Sequence, residues 1–132
     1  MDLNKRRALL TTADNPDATL DYISGLQGSL QAFGLGMPTR IGVHYAPDQL
    51  IVEPSAFGRY LEALGTIEWE SLEGLATAIL GDFSNQLVAR WARVVVTAPE
   101  GAYPGVGAHE VMVEERQPGW DNEALLSRLS NG

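Results

Sequence analysis

Thr39-Arg40-Ile41-Gly42-Val43-His44-Tyr45-Ala46-Pro47-Asp48 is followed at once by Val52-Glu53-Pro54-Ser55-Ala56-Phe57-Gly58-Arg59-Tyr60-Leu61, and across this junction the hydrophobic period changes. Before Pro47, Ile41, Val43 and Tyr45 fall on one side and Arg40, Gly42 and His44 on the other. That period of two marks a half-buried strand. After Glu53, Phe57, Tyr60, Leu61 and Leu64 recur at helical spacing. Ser55 is the expected N-cap and Gly65 the expected stop. Pro47-Asp48 breaks the strand, and Leu50-Ile51-Val52 reads as its continuation.

Working outward, Leu72, Leu75, Ala76, Ile79, Leu80, Phe83 and Leu87 form the apolar stripe of a second, longer helix that starts at Ser71 or Glu70. On the N-terminal side, Thr19 to Phe33 alternates through Leu20, Tyr22, Leu26 and Leu30, interrupted by Gly25 and Gly28. It reads as one strand with a bend or bulge. Gly34-Leu35-Gly36-Met37-Pro38 turns it back into the next strand. On the C-terminal side, Val94-Val95-Val96 after Trp91 reads as a buried strand. Val111, Val113 and Glu115 form the last strand, with Met112 and Glu114 on its other face. Asp121 or Asn122 can cap a final helix within 121–130. Residues 1–17 are polar and end in the loop signature Asp14-Asn15-Pro16-Asp17.

The order is strand, strand, helix, helix, strand, strand. It predicts an α+β domain over residues 1–132, with an N-terminal extension at 1–17, an antiparallel sheet and both helices on one face. So small a sheet leaves exposed edges, which invite pairing with further copies into a closed barrel.

Composition narrows the function. With 45% hydrophobic and 20% charged residues, the 132-residue chain suits one globular domain. A formal net charge of −8 argues against nucleic acid as a partner. No stretch approaches the roughly 18 apolar residues of a membrane span, and no apolar segment follows Arg7 as in a secretory signal. The expected location is cytoplasmic, with no membrane partner. The chain has no cysteine, which excludes disulfides, thiolate metal sites and a cysteine nucleophile. His44 and His109 read as ordinary strand residues, and no metal site is expected. The glycine-rich segment from Gly101 to Gly107 joins two strands and offers no helix N-terminus to a phosphate.

Among the carboxylates, Glu68, Glu70 and Glu73 gather at the start of the second helix, where negative charge suits the helix dipole. Glu73 stands apart. It lies beside the apolar stripe between Leu72 and Leu75, where a solvated face is not guaranteed, and the residues alone fit an ordinary solvated first turn better than a partly buried carboxylate. A carboxylate there can accept two parallel hydrogen bonds from an amidine-like N–H pair, such as guanine and pterin rings carry.

At these residues the chain resembles the nitrile reductases that act on 7-cyano-7-deazaguanine in queuosine biosynthesis. Tyr45-Ala46-Pro47-Asp48 and Glu53-Pro54-Ser55-Ala56-Phe57-Gly58-Arg59-Tyr60-Leu61 are similar to the family's Tyr-x-Pro-Asp and its Glu-Ser-Lys-Ser-x-Lys-x-Tyr-Leu run. Leu72-Glu73 falls on its His-Glu, and Asp82-Phe83 on its Asp-Leu. The resemblance covers about residues 15–101. It implies the tunnelling-fold superfamily, to which GTP cyclohydrolase, pyruvoyl-tetrahydropterin synthase and dihydroneopterin aldolase also belong. Ser71-Leu72-Glu73-Gly74-Leu75-Ala76 is similar to the aldolase pattern as well. It further implies that Glu73 anchors a purine, deazapurine or pterin ring at a subunit interface, with Leu72 beside it and Val52 and Glu53 nearby.

The departures are as informative. The family's nucleophilic cysteine falls near Ser29 or Leu30, and its general-acid aspartate near Met37. The lysines of its NADPH motif fall on Ser55 and Gly58, and an Arg-Gly of its cofactor loop on Glu100-Gly101. Without a thiolate no thioimide can form. The reading is therefore a ring-binding homo-oligomer without nitrile reduction and without NADPH or another cofactor. The alternatives are a different purine or pterin enzyme using Glu53, Glu73, His44 or His109 as acid–base groups, and a structural oligomer with a vestigial pocket.

Overall fold

The structure is a computed structural model, and it describes residues 1–130. The elements in chain order are α1 (Leu3–Ala8), β1 (Thr12–Asp14), β2 (Ser24–Leu30), β3 (Thr39–Ala46), β4 (Leu50–Val52), α2 (Pro54–Leu64), α3 (Leu72–Leu87), β5 (Trp91–Thr97), β6 (Glu110–Arg116) and α4 (Glu123–Ser130). Four strands form one antiparallel sheet in the order β2-β3-β5-β6. The helix pair α2 and α3 packs on one face of it, as the period switch predicts.

The core lies between sheet and helices. Ile41, Val43 and Tyr45 of β3 and Val94 and Val96 of β5 meet Phe57, Tyr60 and Leu61 of α2 and Leu75, Ile79 and Phe83 of α3, all buried. Phe83 is the hub. Tyr45, Phe57 and Tyr60 stand around its ring at centroid distances of 6.3, 6.0 and 6.2 Å, tilted or edge-on, an arrangement aromatic quadrupoles favour. The packing is close enough that a Cβ on Gly28 would sit 2.5 Å from Cδ1 of Leu61.

Local signals set several boundaries. Ser71 caps α3, its hydroxyl accepting the Gly74 N–H at 2.9 Å. Gly65 ends α2. Asn122 caps α4 by accepting the Leu125 N–H. Val88 ends α3 in the left-handed region, at φ 47°.

Four expectations change. The first strand begins at Ser24 rather than Thr19. The Arg90 guanidinium binds the carbonyls of Ala18 and Leu20 and the carboxylate of Asp21, which takes those two carbonyls out of any ladder. The cap of α2 is Glu53, with Pro54 in the first turn, not Ser55. Proline's fixed φ and missing N–H suit that position. Leu50-Ile51-Val52 does not extend β3 but pairs with β1 in a separate two-stranded sheet.

Residues 1–17, read as a polar extension, carry α1 and β1. Leu10 between them is fully buried. A buried ion cluster holds α1 down. The carboxylate of Asp82, with no exposed surface, accepts two hydrogen bonds from Arg6 (2.7 and 2.8 Å), one from Arg7 (3.0 Å) and one from the Tyr60 hydroxyl (2.5 Å). Charge-assisted bonds of this kind are the stronger class. The bonds from Arg6 to Asp82 raise the arginine's pKa further above its ordinary value.

Among the described residues the other face of the sheet is covered only at one end. There Leu126 of α4 packs on Ala46 and Trp91, with Trp120 and Leu129 alongside. No helix among the described residues is long and apolar enough to cross a membrane.

Candidate functional site

Glu73 occupies the first turn of α3, held there by the Ser71 cap. Leu72, one residue earlier, is buried, while the Glu73 side chain is 62% exposed. Of the two readings the residues allow, the solvated first turn is the one the structure has. Successive helical residues turn by about 100°, so with Leu72, Leu75 and Ala76 inward Glu73 is carried out of the core. Its carboxylate accepts no hydrogen bond among the described residues. Among the described residues its one ion-pair-range neighbour is the Nε2 of His109, 3.6 Å away, just before β6.

That pair was not legible in the sequence. His109 and Glu73 are 36 positions apart. They meet because α3 packs against β5 and β6 with its N-terminus at the end where β6 begins, where the Ala98 N–H donates to the His109 carbonyl.

Val52 and Glu53 lie elsewhere. Val52 is buried, its N–H donating to the Tyr45 hydroxyl at 2.9 Å. Glu53 caps α2, is exposed, and accepts the Thr11 hydroxyl at 3.0 Å. Both come just before the first turn of α2, which carries Phe57 against Phe83, whereas Glu73 lies ten residues before Phe83, about 15 Å of helix at 1.5 Å per residue. One chain thus brings Leu72, Glu73 and His109 together at one end of the helix layer and Val52 and Glu53 together at the other.

His44 faces outward from β3, half-buried. Burial, and secondarily the positive charge of Arg93, lower its pKa below the ordinary histidine value. Ser29 is exposed on the outward face of β2, and its neighbour Leu30 is in the core. Met37 is exposed in the hairpin turn, and Ser55 and Gly58 lie on the exposed side of α2. Among the described residues no three His, Asp or Glu side chains converge in a way that could hold a metal ion.

A recess of about 700 Å³ runs between the free edge of β2 and α2, with Phe57, Gly58, Leu61 and Glu62 on its helical wall. A second, of about 470 Å³, lies between the 31–36 turn and the 65–69 loop, flanked by Phe33 and Trp69. Neither contains Glu73.

No protein-family model and no curated protein matches the chain. Solved structures do. An archaeosine synthase QueF-Like in the apo form aligns with a TM-score of 0.56 at 18% identity, over 76% of this chain and 95% of that one. A protein described as a dihydroneopterin aldolase (FolB) from Vibrio cholerae O1 biovar El Tor aligns with a TM-score of 0.46 at 13% identity, over 81% of this chain and 96% of that one. At such identities the likeness is one of fold. The chain has the α+β tunnelling fold that the resemblance implied, with the antiparallel sheet and the helix pair on one face that the order of elements predicts.

Proposed function

We propose that this protein binds a small planar heterocycle of the purine, deazapurine or pterin type through Glu73, and that it does so without nitrile reduction or NADPH. One observation carries the reading. Glu73 is an exposed carboxylate that accepts no hydrogen bond among the described residues, on the first turn of a well-capped helix. Such a group is ready to accept a parallel pair of ring N–H donors. The sequence resemblance at Leu72-Glu73 points to the same role. The absence of cysteine removes the nucleophile that a thioimide mechanism needs.

A carboxylate this exposed is a weak anchor alone, because water competes for it. The reading therefore includes a second copy of the chain that covers Glu73 and brings its own Val52 and Glu53 toward it. The free edges of β2 and β6 suit such pairing. His109, beside Glu73, is the group best placed to exchange a proton with a bound ring if the protein is an enzyme.

Thermal unfolding with guanine, 7-deazaguanines and pterins tests the proposal. A ligand at about 100 times its Kd stabilises the folded state by roughly 2.7 kcal/mol. Glu73→Gln keeps the shape, replaces one acceptor oxygen by a donor, and should abolish the shift. No shift with any of these rings, or an undiminished one in Glu73→Gln, defeats the proposal. A solution mass equal to one chain at micromolar concentration defeats the intersubunit part.

A further inference from the structure

The face of the sheet turned away from α2 and α3 carries three cross-strand rows. They are Gly25–His44–Arg93–Glu114, Gln27–Gly42–Val95–Met112 and Ser29–Arg40–Thr97–Glu110. α4 covers the Ala46–Trp91 end and leaves these rows uncovered. In the middle row Gly42 has no side chain, and a Cβ there would meet nothing nearer than the Val95 carbonyl at 3.9 Å. The result is a dent of about 320 Å³ bordered by Gln27, Arg40, His44, Val95 and Thr97.

The charges around this dent are unevenly satisfied. Arg93 is partly committed, 3.6 Å from Glu114 and 5.1 Å over the Trp91 ring, while its Nε is buried without a hydrogen-bond partner among the described residues; Trp91 in turn donates to Glu114 at 2.6 Å. Glu110 lies 3.4 Å from the Thr97 hydroxyl. Arg40, in the same row as Glu110, makes no ion pair and no hydrogen bond among the described residues. His44 also makes no hydrogen bond there. Its ring lies against Gly25, where a Cβ would come within 2.9 Å of Cδ2. A chain with a net charge of −8 thus keeps an uncommitted guanidinium, an imidazole and a carboxamide around one concavity.

We propose that this dent is a binding site for a small oxyanion, the phosphate or carboxylate group of a metabolite-sized ligand. Arg40 donates its planar N–H pair to the anion, Gln27 adds its amide N–H, and His44 closes the far side. The proposal is independent of the Glu73 reading, since the dent lies on the opposite face of the sheet from α3.

The two histidines make the test direct. In the full-length chain with labelled imidazoles, His44 is followed by NMR across pH 5.5–8 and His109 serves as the internal control. Sulfate, a phosphate stand-in whose charge is constant in this range, and acetate are titrated separately against chloride at fixed ionic strength. The charged groups facing His44 are Arg40, Arg93 and, behind Arg93, Glu114, and they are present in every sample. The expected result is a saturable shift at His44 but not His109, together with a higher His44 titration midpoint, because a nearby anion favours imidazolium. The anion that saturates at lower concentration distinguishes a phosphate from a carboxylate ligand. Arg40→Gln should weaken binding about tenfold or more, and Gly42→Leu should abolish it by filling the dent. No saturable response to either anion overturns the proposal. So does unchanged binding in Arg40→Gln, a surface substitution that keeps the test decisive should Gly42→Leu fold poorly.

Discussion

Replacing Asp82 by asparagine removes one negative charge at nearly constant volume, so the cost measures the ion cluster and not a cavity. The carboxylate accepts four hydrogen bonds, three from guanidinium groups and one from Tyr60. Asparagine turns one acceptor oxygen into an N–H2 that faces those donors. Breaking a buried pair by removing one partner costs about 3–5 kcal/mol. Here the Arg6 and Arg7 side chains keep 14% and 24% exposure, so their charges can turn back into water once Asp82 is gone. The lower end, about 3 kcal/mol, is therefore expected. For 132 residues the unfolding entropy is about 0.28 kcal/mol/K, so that loss lowers the melting temperature by about 11 °C. Scanning calorimetry gives this number, and a double-mutant cycle with Arg6→Leu should return a coupling of about 1 kcal/mol or more. A drop under about 2 °C, or no coupling, would place the cluster with screened surface pairs, and the reasoning would fail.

Two further outcomes follow from single groups. The Tyr60 hydroxyl is pushed well above the ordinary tyrosine pKa, first by burial and then by Asp82. The folded state therefore holds a proton that the unfolded chain releases near pH 10. Stability is fully present below that pH and falls above it by up to about 1.4 kcal/mol per pH unit. Urea unfolding at pH 8 to 11 should show this slope, and Tyr60→Phe should reduce it; an identical slope in the variant would exclude Tyr60 as its source. Val88 holds a β-branched side chain at φ 47° while being 63% exposed, so it carries backbone strain and little burial. Val88→Gly should stabilise the protein by about 1 kcal/mol in denaturant unfolding, and a destabilised variant would show that the side chain packs more than its exposure suggests.

Local sequence determined the elements that hydrophobic period and capping chemistry encode. Alternation through Ile41, Val43 and Tyr45 marked the inward face of β3, and the stripe from Leu72 to Leu87 fixed α3 with its Ser71 cap. Their order was enough to imply the sheet and its helix pair. The same pattern did not reveal α1 and β1. A six-residue helix with no buried side chain has no apolar stripe to read, and its hold on the fold comes from Arg6 and Arg7 reaching Asp82 about 75 positions away. The strand expected from Thr19 begins only at Ser24 for a similar reason, since a distant guanidinium, Arg90, binds the carbonyls of Ala18 and Leu20.

For the candidate site the division is equally physical. Periodicity left Glu73 ambiguous, a carboxylate beside an apolar stripe, and the resemblance at Leu72-Glu73 singled it out. Only the tertiary structure decided that its side chain turns outward, that His109 stands beside it, and that Glu53 lies at the far end of the helix layer. Periodicity states which way a side chain faces within its own element. Which charges meet across elements depends on how helix and strand lengths, at 1.5 and about 3.3 Å per residue, bring their ends together, and no local pattern contains that sum.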